Sequence, residues 1–332
     1  MKLLIQPEDG VGPLIEAMEG AKKSIEIAIF RCDHPEIERT LVEAVKRGVT
    51  VQALIAYTNR GGERRLRGLE MRLLAAGAVV ARTNNDLARY HGKYIIIDQK
   101  KVFLLGFNFT VADLRRTRSF GLISSHHKLV DAVSELFKAD TLRQSFATKS
   151  RELVVSPVNA RERLTHFLSA AKKQLLIYDL KISDPAMLQV LQQLAKDGVE
   201  IRVIGRVKGS AGPSDVRGSH PLRLHARVIV RDGDAVFLGS QSLSRLELDM
   251  RREVGVLVDD SKIAGRIAKV FEQDWETAKS EIVPAEKVAK KVAKAVAKSI
   301  DPIGPVLEQI SAKNGALALG NHEDLEEVVR ER

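Results

Sequence analysis

The sequence holds a single cysteine, Cys32. No intramolecular disulfide can form, and a lone thiol fits a reducing compartment as a small apolar residue, so no role is assigned to it. Long apolar runs are missing too. The opening MKLLIQPEDG has only four apolar residues, Met1 and Leu3 to Ile5, before a proline, too few for a signal-peptide core. No later stretch approaches the roughly 18 apolar residues of a membrane span, and the expected location is the cytoplasm. No phosphate-cradling or dinucleotide glycine pattern occurs. His126 and His127 are adjacent and cannot share a strand face, and no cysteine or carboxylate cluster completes a metal site. They are read as surface residues, as are His34, His166 and His322.

What is present is an ordinary globular composition with a basic excess. Hydrophobic residues make up 44% and charged residues 29%, near the averages of folded domains. A length of 332 residues allows two domains or one large one. Lys and Arg outnumber Asp and Glu by 53 to 43, a net charge of +10. That excess favours polyanions such as nucleic acid or an anionic membrane surface.

The chain repeats itself. AKKSIEIAIFRCDHPEIERTLVEAVKRGVTVQAL, residues 21–54, lies over AKKQLLIYDLKISDPAMLQVLQQLAKDGVEIRVI, residues 171–204, at a constant offset of 150 that pairs Pro35 with Pro185 and Gly48 with Gly198. Each copy reads as strand, loop, helix, strand. IEIAIF and VTVQALI alternate, Ile37, Leu41, Ala44 and Val45 recur at helical spacing, and Gly48 stops the helix. Such a unit implies parallel neighbouring strands. A second block, HGKYIIIDQKKVFLLGFNFT from His91, lies over HARVIVRDGDAVFLGSQSLS from His225 at an offset of 134, which also pairs Phe137 with Phe271 and Asp140 with Asp274. The intervening RRLRGLEMRLLAAGA reads as helix, and its counterpart VKGSAGPSDVRGSHP as loop.

Beyond Trp275 the character changes. EKVAKKVAKAVAKSI sets Val288, Val292, Val296 and Ile300 along one side of a lysine-rich helix, before the acidic finish NHEDLEEVVRER. Valine and alanine are weak membrane anchors, so this segment is expected to be a solvated or partner-facing appendage. The organisation expected is a first half at 1–148, a second at 149–278 and a basic helical, then acidic, tail at 279–332.

The pattern H-x-K-x-x-x-x-D is weak read once and strong read twice at duplicated positions. At these residues the sequence resembles the phospholipase D superfamily, whose signature is H-x-K-x-x-x-x-D, six residues, then G-S-x-N. The resemblance spans about residues 5 to 276. The first copy has His91, Lys93, Asp98 and Asn108, with Leu105 and Gly106 at the G-S places. The second has His225, Asp232, Gly239 and Ser240, with Arg227 for lysine and Ser242 for asparagine. The acidic residue that follows the family's histidine by some 28 places is matched by Glu253, whereas the first copy has Ser119.

Physical chemistry suits such residues to phosphodiester cleavage. Residues two apart on a strand share a face, so His91 with Lys93, and His225 with Arg227, can converge on one phosphate. One imidazole attacks phosphorus while the other protonates the leaving oxygen and later activates water or an alcohol. The cations stabilise the charge of the transition state, and arginine for lysine keeps a good phosphate binder. Asn108 and Ser242 are candidate donors to non-bridging oxygens.

The resemblance further implies that Glu253 orients His91, that His225 lacks a counterpart because Ser119 is not acidic, and that Asp98 and Asp232 are structural. His91 is then the expected nucleophile and His225 the acid and base, with no metal and no cofactor. The fold it implies is α/β: two pseudo-symmetric halves with mixed sheets around a shared site. The expected function is hydrolysis or transfer of the phosphatidyl group of phospholipids through a phosphohistidine. The alternatives are a metal-independent nuclease and a degenerate phosphodiester-binding protein. Head group, acceptor and oligomeric state are not legible.

Overall fold

The alternating segments of the first repeat form the strands Ser24–Ile29 and Thr50–Ile55, paired in parallel with Ile25 opposite Val51 and Ile27 opposite Ala53. Between them the helix Pro35–Lys46 turns Ile37, Thr40, Leu41 and Ala44 inward. Proline at its first position starts it with φ already suited to a helix. Gly48, at φ +83°, ends it in the left-handed region that glycine enters without penalty. The second repeat builds the same unit from Gln174–Ile182, Pro185–Lys196 and Glu200–Val207, with Asp184 capping the helix and Gly198 at φ +87°.

The computed structural model describes residues 1–58, 63–209 and 215–280. They form two mixed eight-stranded sheets. From one edge, the first runs Lys2–Gln6, Thr117–Ser124, Lys101–Leu105, Tyr94–Ile97, Ser24–Ile29, Thr50–Ile55, Val79–Arg82, with Arg223–Leu224 paired beside Thr117–Ser124. The second runs Leu153–Val155, Val254–Asp259, Ala235–Gly239, Val228–Arg231, Gln174–Ile182, Glu200–Val207, Asp215–Ser219, ending with Lys279–Ser280. The two orders match strand for strand until the last, so the protein is two pseudo-symmetric α/β halves.

A single core joins them. One buried cluster takes Tyr94 and Phe120 from the first sheet and Tyr178 and Val256 from the second. It also takes Leu136 and Phe137 of the helix His127–Leu142 and Ile267 and Phe271 of the helix Ser261–Thr277. A separate apolar cluster lies within each half. Because both sheets and both long helices contribute to one dry interior, the halves cannot part without exposing it.

The two motif aspartates sit at strand ends. Asp98 accepts backbone N–H bonds from Lys22, Lys23 and Ser24, and Asp232 from Lys172, Lys173 and Gln174. These bonds hold both carboxyls below their ordinary range against the opposing effect of burial.

Two readings change. The stretch read as loop in the second half contains the strand Asp215–Ser219, parallel to Glu200–Val207. Backbone pairing with a preformed neighbour outweighs its glycine and serine content. His34 is buried at 3% exposure at the start of the helix Pro35–Lys46 rather than on the surface. The expected tail begins with Lys279–Ser280 paired to Asp215–Ser219. Its helical appendage and acidic end lie outside the described residues, as does His322. Among the described residues no helix is long and apolar enough to cross a membrane.

Candidate active site

Each histidine is tied by its own backbone to the opposite half. Arg89–Tyr90 pairs in parallel with Arg251–Arg252, and His91 N–H donates to the Arg252 carbonyl at 2.7 Å. Arg223–Leu224 pairs in parallel with Thr117–Arg118, and His225 N–H donates to the Arg118 carbonyl at 3.0 Å. The residue after each of those arginines is thereby set beside the other half's histidine. After Arg252 it is Glu253, whose Oε2 lies 2.7 Å from His91 Nδ1 with both side chains buried. After Arg118 it is Ser119, whose hydroxyl donates to the His225 carbonyl at 2.9 Å.

His225 nevertheless has a carboxylate, and the expectation that it lacks one is wrong. Asp113 Oδ2 stands 3.2 Å from His225 Nδ1, close enough to pair though not aligned as a full hydrogen bond. Asp113 lies in the first turn of the short helix Val111–Arg116, capped by Thr110, and accepts from Asn108 N and Nδ2 at 2.9 and 2.6 Å. The second half repeats the device. Ser244 caps the helix Arg245–Asp249, and Glu247 accepts from Ser242 N at 2.7 Å. Glu247 turns instead to Arg251 Nη1 at 2.8 Å and lies 3.6 Å from Arg227 Nε. The signal was in the sequence: a T-x-x-D after Asn108 recurs as S-x-x-E after Ser242.

The remaining candidates have specific surroundings. Lys93, 1% exposed, donates to the His91 carbonyl and lies 5.3 Å from the centre of the Phe30 ring, which meets the His91 imidazole edge-on at 4.4 Å. Arg227 Nε donates to Ser242 Oγ at 3.3 Å, while its Nη1 is buried without a partner. Asn108 supports Asp113 through its amide nitrogen and leaves Oδ1 buried and unpaired. A cavity of about 320 Å³ opens over the site, with Phe30, Arg89, His91, Asp113, Arg223 and His225 in its wall. Cys32 also reaches that wall, and burial pushes its thiol up to about 12.

Burial, followed by the charges of Lys93 and Arg227, holds His91 well below the usual imidazole range. Burial also lowers His225, but ionised Asp113 pulls in the opposite direction. Burial would raise Asp113; its pairing with His225 and the hydrogen bonds from Asn108 outweigh that and keep it well below the usual carboxylate range. Burial pushes Lys93 down to about 7. A carboxylate at Nδ1 places the neutral imidazole's proton there and leaves Nε2 as the free base. The site therefore combines one imidazole with a free Nε2, a second imidazole beside an ionised acid, and buried cations with an open donor.

Two α/β halves that close over a histidine from each define the phospholipase D class of phosphodiester-handling enzymes. The family model described as "Cardiolipin synthase, PLD-like domain" matches residues 14–141 and 164–275, and the chain belongs to this phospholipase D-like family. It is 24% identical over 303 residues to the polyphosphate kinase of Pseudomonas syringae pv. tomato, covering 81% of this chain and 41% of that one. It is 25% identical over 131 residues to the mitochondrial cardiolipin hydrolase of Canis lupus familiaris, covering 40% and 50% of the two chains. The chain thus spans half or less of the length of these relatives. The phosphatidylserine synthase of Haemophilus influenzae Rd KW20 superposes with a TM-score of 0.65 at 13% identity, over 90% of this chain and 94% of that one.

Proposed function

We propose that this protein cleaves or transfers a phosphodiester through a phosphohistidine. The observation that carries the reading is that each motif histidine meets a carboxylate from the opposite half: His91 meets Glu253, and His225 meets Asp113. Nε2 of His91 attacks phosphorus and forms the P–N bond as the bond to the leaving oxygen breaks. His225, protonated beside Asp113, gives its proton to that oxygen. It then takes a proton from water or an alcohol, whose oxygen attacks phosphorus and releases His91. Lys93 and the open Nη1 of Arg227 supply positive charge to the pentacovalent phosphorane.

His91 is assigned as nucleophile on the proton balance rather than on the lack of an acid at His225. Burial together with Lys93 and Arg227 lowers both imidazoles, His91 well below its ordinary range, while ionised Asp113 offsets part of the lowering at His225. Asp98 and Asp232 are assigned to fold support. Asn108 acts by holding Asp113, and Ser242 by holding Arg227.

For substrate we favour the phosphatidyl group of a phospholipid, supported by a family model described for cardiolipin synthase and a relative named for cardiolipin hydrolysis. A second reading, a polyanion such as nucleic acid or a phosphate chain, is favoured by the arginines of the cavity wall and the net charge of +10. The test incubates the full chain with phosphatidylcholine, phosphatidylglycerol and single-stranded DNA, with and without a chelator. Cleavage of a lipid irrespective of chelator is expected. Cleavage of DNA alone selects the second reading, and activity lost to chelator and restored by a divalent ion would overturn the phosphohistidine route.

A further inference from the structure

The pseudo-twofold axis that relates His91 to His225 also relates Arg89 to Arg223, each two residues ahead of its histidine. Along an extended segment, residues two apart share a face, and both arginines reach the wall of the cavity that holds both histidines. Neither matches the family signature, and the mechanism above uses neither.

Arg89 makes no ion pair among the described residues. Its guanidinium lies over the Phe30 ring at 5.2 Å, on the same ring that braces His91. Among the described residues no carboxylate lies at ion-pair distance from it; Arg251 and Arg31 oppose its charge, and Glu253 and Glu247 offset part of that from beyond ion-pair reach. Burial and those like charges lower its pKa, so the resting protein bears a cost there that a bound anion relieves. Arg223 is on the open side, 63% exposed, with its Nη1 3.6 Å from Asp113 Oδ1. That one contact, near the limit of ion-pair distance, engages a single nitrogen, so Arg223 keeps donors for a ligand; a guanidinium presents five in a fixed fork suited to phosphate.

We infer that Arg89 and Arg223 form two symmetry-related subsites for a second phosphate, flanking the scissile one. The substrate class is a diester with another phosphate a few bonds from the reacting phosphorus. One arginine serves the side retained on the enzyme and the other the side that leaves. This rests on the proposed phosphohistidine reading for its placement, and it narrows the substrate: a monophosphate diester fills the centre only, whereas a bis-phosphate lipid or a phosphate chain also fills a flank.

The test measures binding, so that its result does not depend on turnover. Isothermal titration of the full chain with inorganic phosphate and with pyrophosphate at one ionic strength should show pyrophosphate tighter by roughly tenfold, the scale of one charge-assisted contact. Arg89→Gln and Arg223→Gln should each shrink that ratio, and the double variant should bring it near one. Arg89→Lys should restore part of it, and Arg39→Gln, an exposed arginine outside the cavity wall, should leave it intact. An equal affinity for both anions, or an equal loss of both in the variants, would overturn the inference. A chain that shows the ratio yet cleaves no diester would overturn the proposed function and leave this one standing. Cardiolipin vesicles against tripolyphosphate, offered as competitors of pyrophosphate, then separate a lipid source of the second phosphate from a free one.

Discussion

Arg118 Nε donates to Asp274 Oδ2 at 2.7 Å across the boundary between the halves, and Arg252 Nε donates to Asp140 Oδ1 at 3.1 Å in the symmetry-related place. All four side chains are buried. The backbone carbonyls of the same two arginines hold the N–H groups of His225 and His91. The clamps that join the halves therefore also set the histidines.

Breaking one clamp leaves an uncompensated buried charge. Asp140→Ala should cost about 3–5 kcal/mol of unfolding free energy, read from urea denaturation. Replacing both Arg252 and Asp140 by apolar residues of similar size should recover most of that. Equal instability of the single and double variants would show that the pair does not act as a unit.

Removing the charge at position 113 tests the acid. Asp113→Asn should lower kcat for an alkyl leaving group by roughly a hundredfold or more, the range of general acid catalysis. A nitrophenyl leaving group, which needs no proton, should lose far less. Equal losses for the two would assign Asp113 to structure alone.

The histidines should separate in single-turnover trapping. His91→Ala should abolish both turnover and covalent phosphoenzyme, whereas His225→Ala should still form the intermediate from a nitrophenyl diester. Phosphate trapped on His225 instead would reverse the roles.

Lys93 sets a pH limit. With its pKa pushed down to about 7 by burial, the ammonium is lost as pH rises through that value, so kcat should fall on an alkaline limb near pH 7. Stability moves the other way. The folded pKa lies below the unfolded one, the unfolded chain binds more protons between the two, and this group's contribution to unfolding free energy rises from about pH 7 to 10. Lys93→Arg, whose charge does not titrate, should remove the limb; its persistence would assign the limb to another group.

Sequence alone determined what short-range rules govern. The strands, the helix Pro35–Lys46 with its proline start and Gly48 stop, and the duplication are written in neighbouring residues, because periodicities of 2 and 3.6 decide which side chains share a face. His91, Lys93, His225 and Arg227 were legible because their pattern recurs at duplicated positions and resembles a known signature. What only the tertiary structure decided is which charge meets which. Ser119 occupies the place of the acid, yet Asp113 of the same half reaches His225 from a capped turn, because pairing of Arg223–Leu224 with Thr117–Arg118 brings the two segments together. Asp215–Ser219 became a strand because a neighbour offered hydrogen bonds, and His34 was buried because the chain packed over it. Coulombic and desolvation terms depend on distances through space, and the order of residues along the chain does not contain those distances until the two halves have closed on each other.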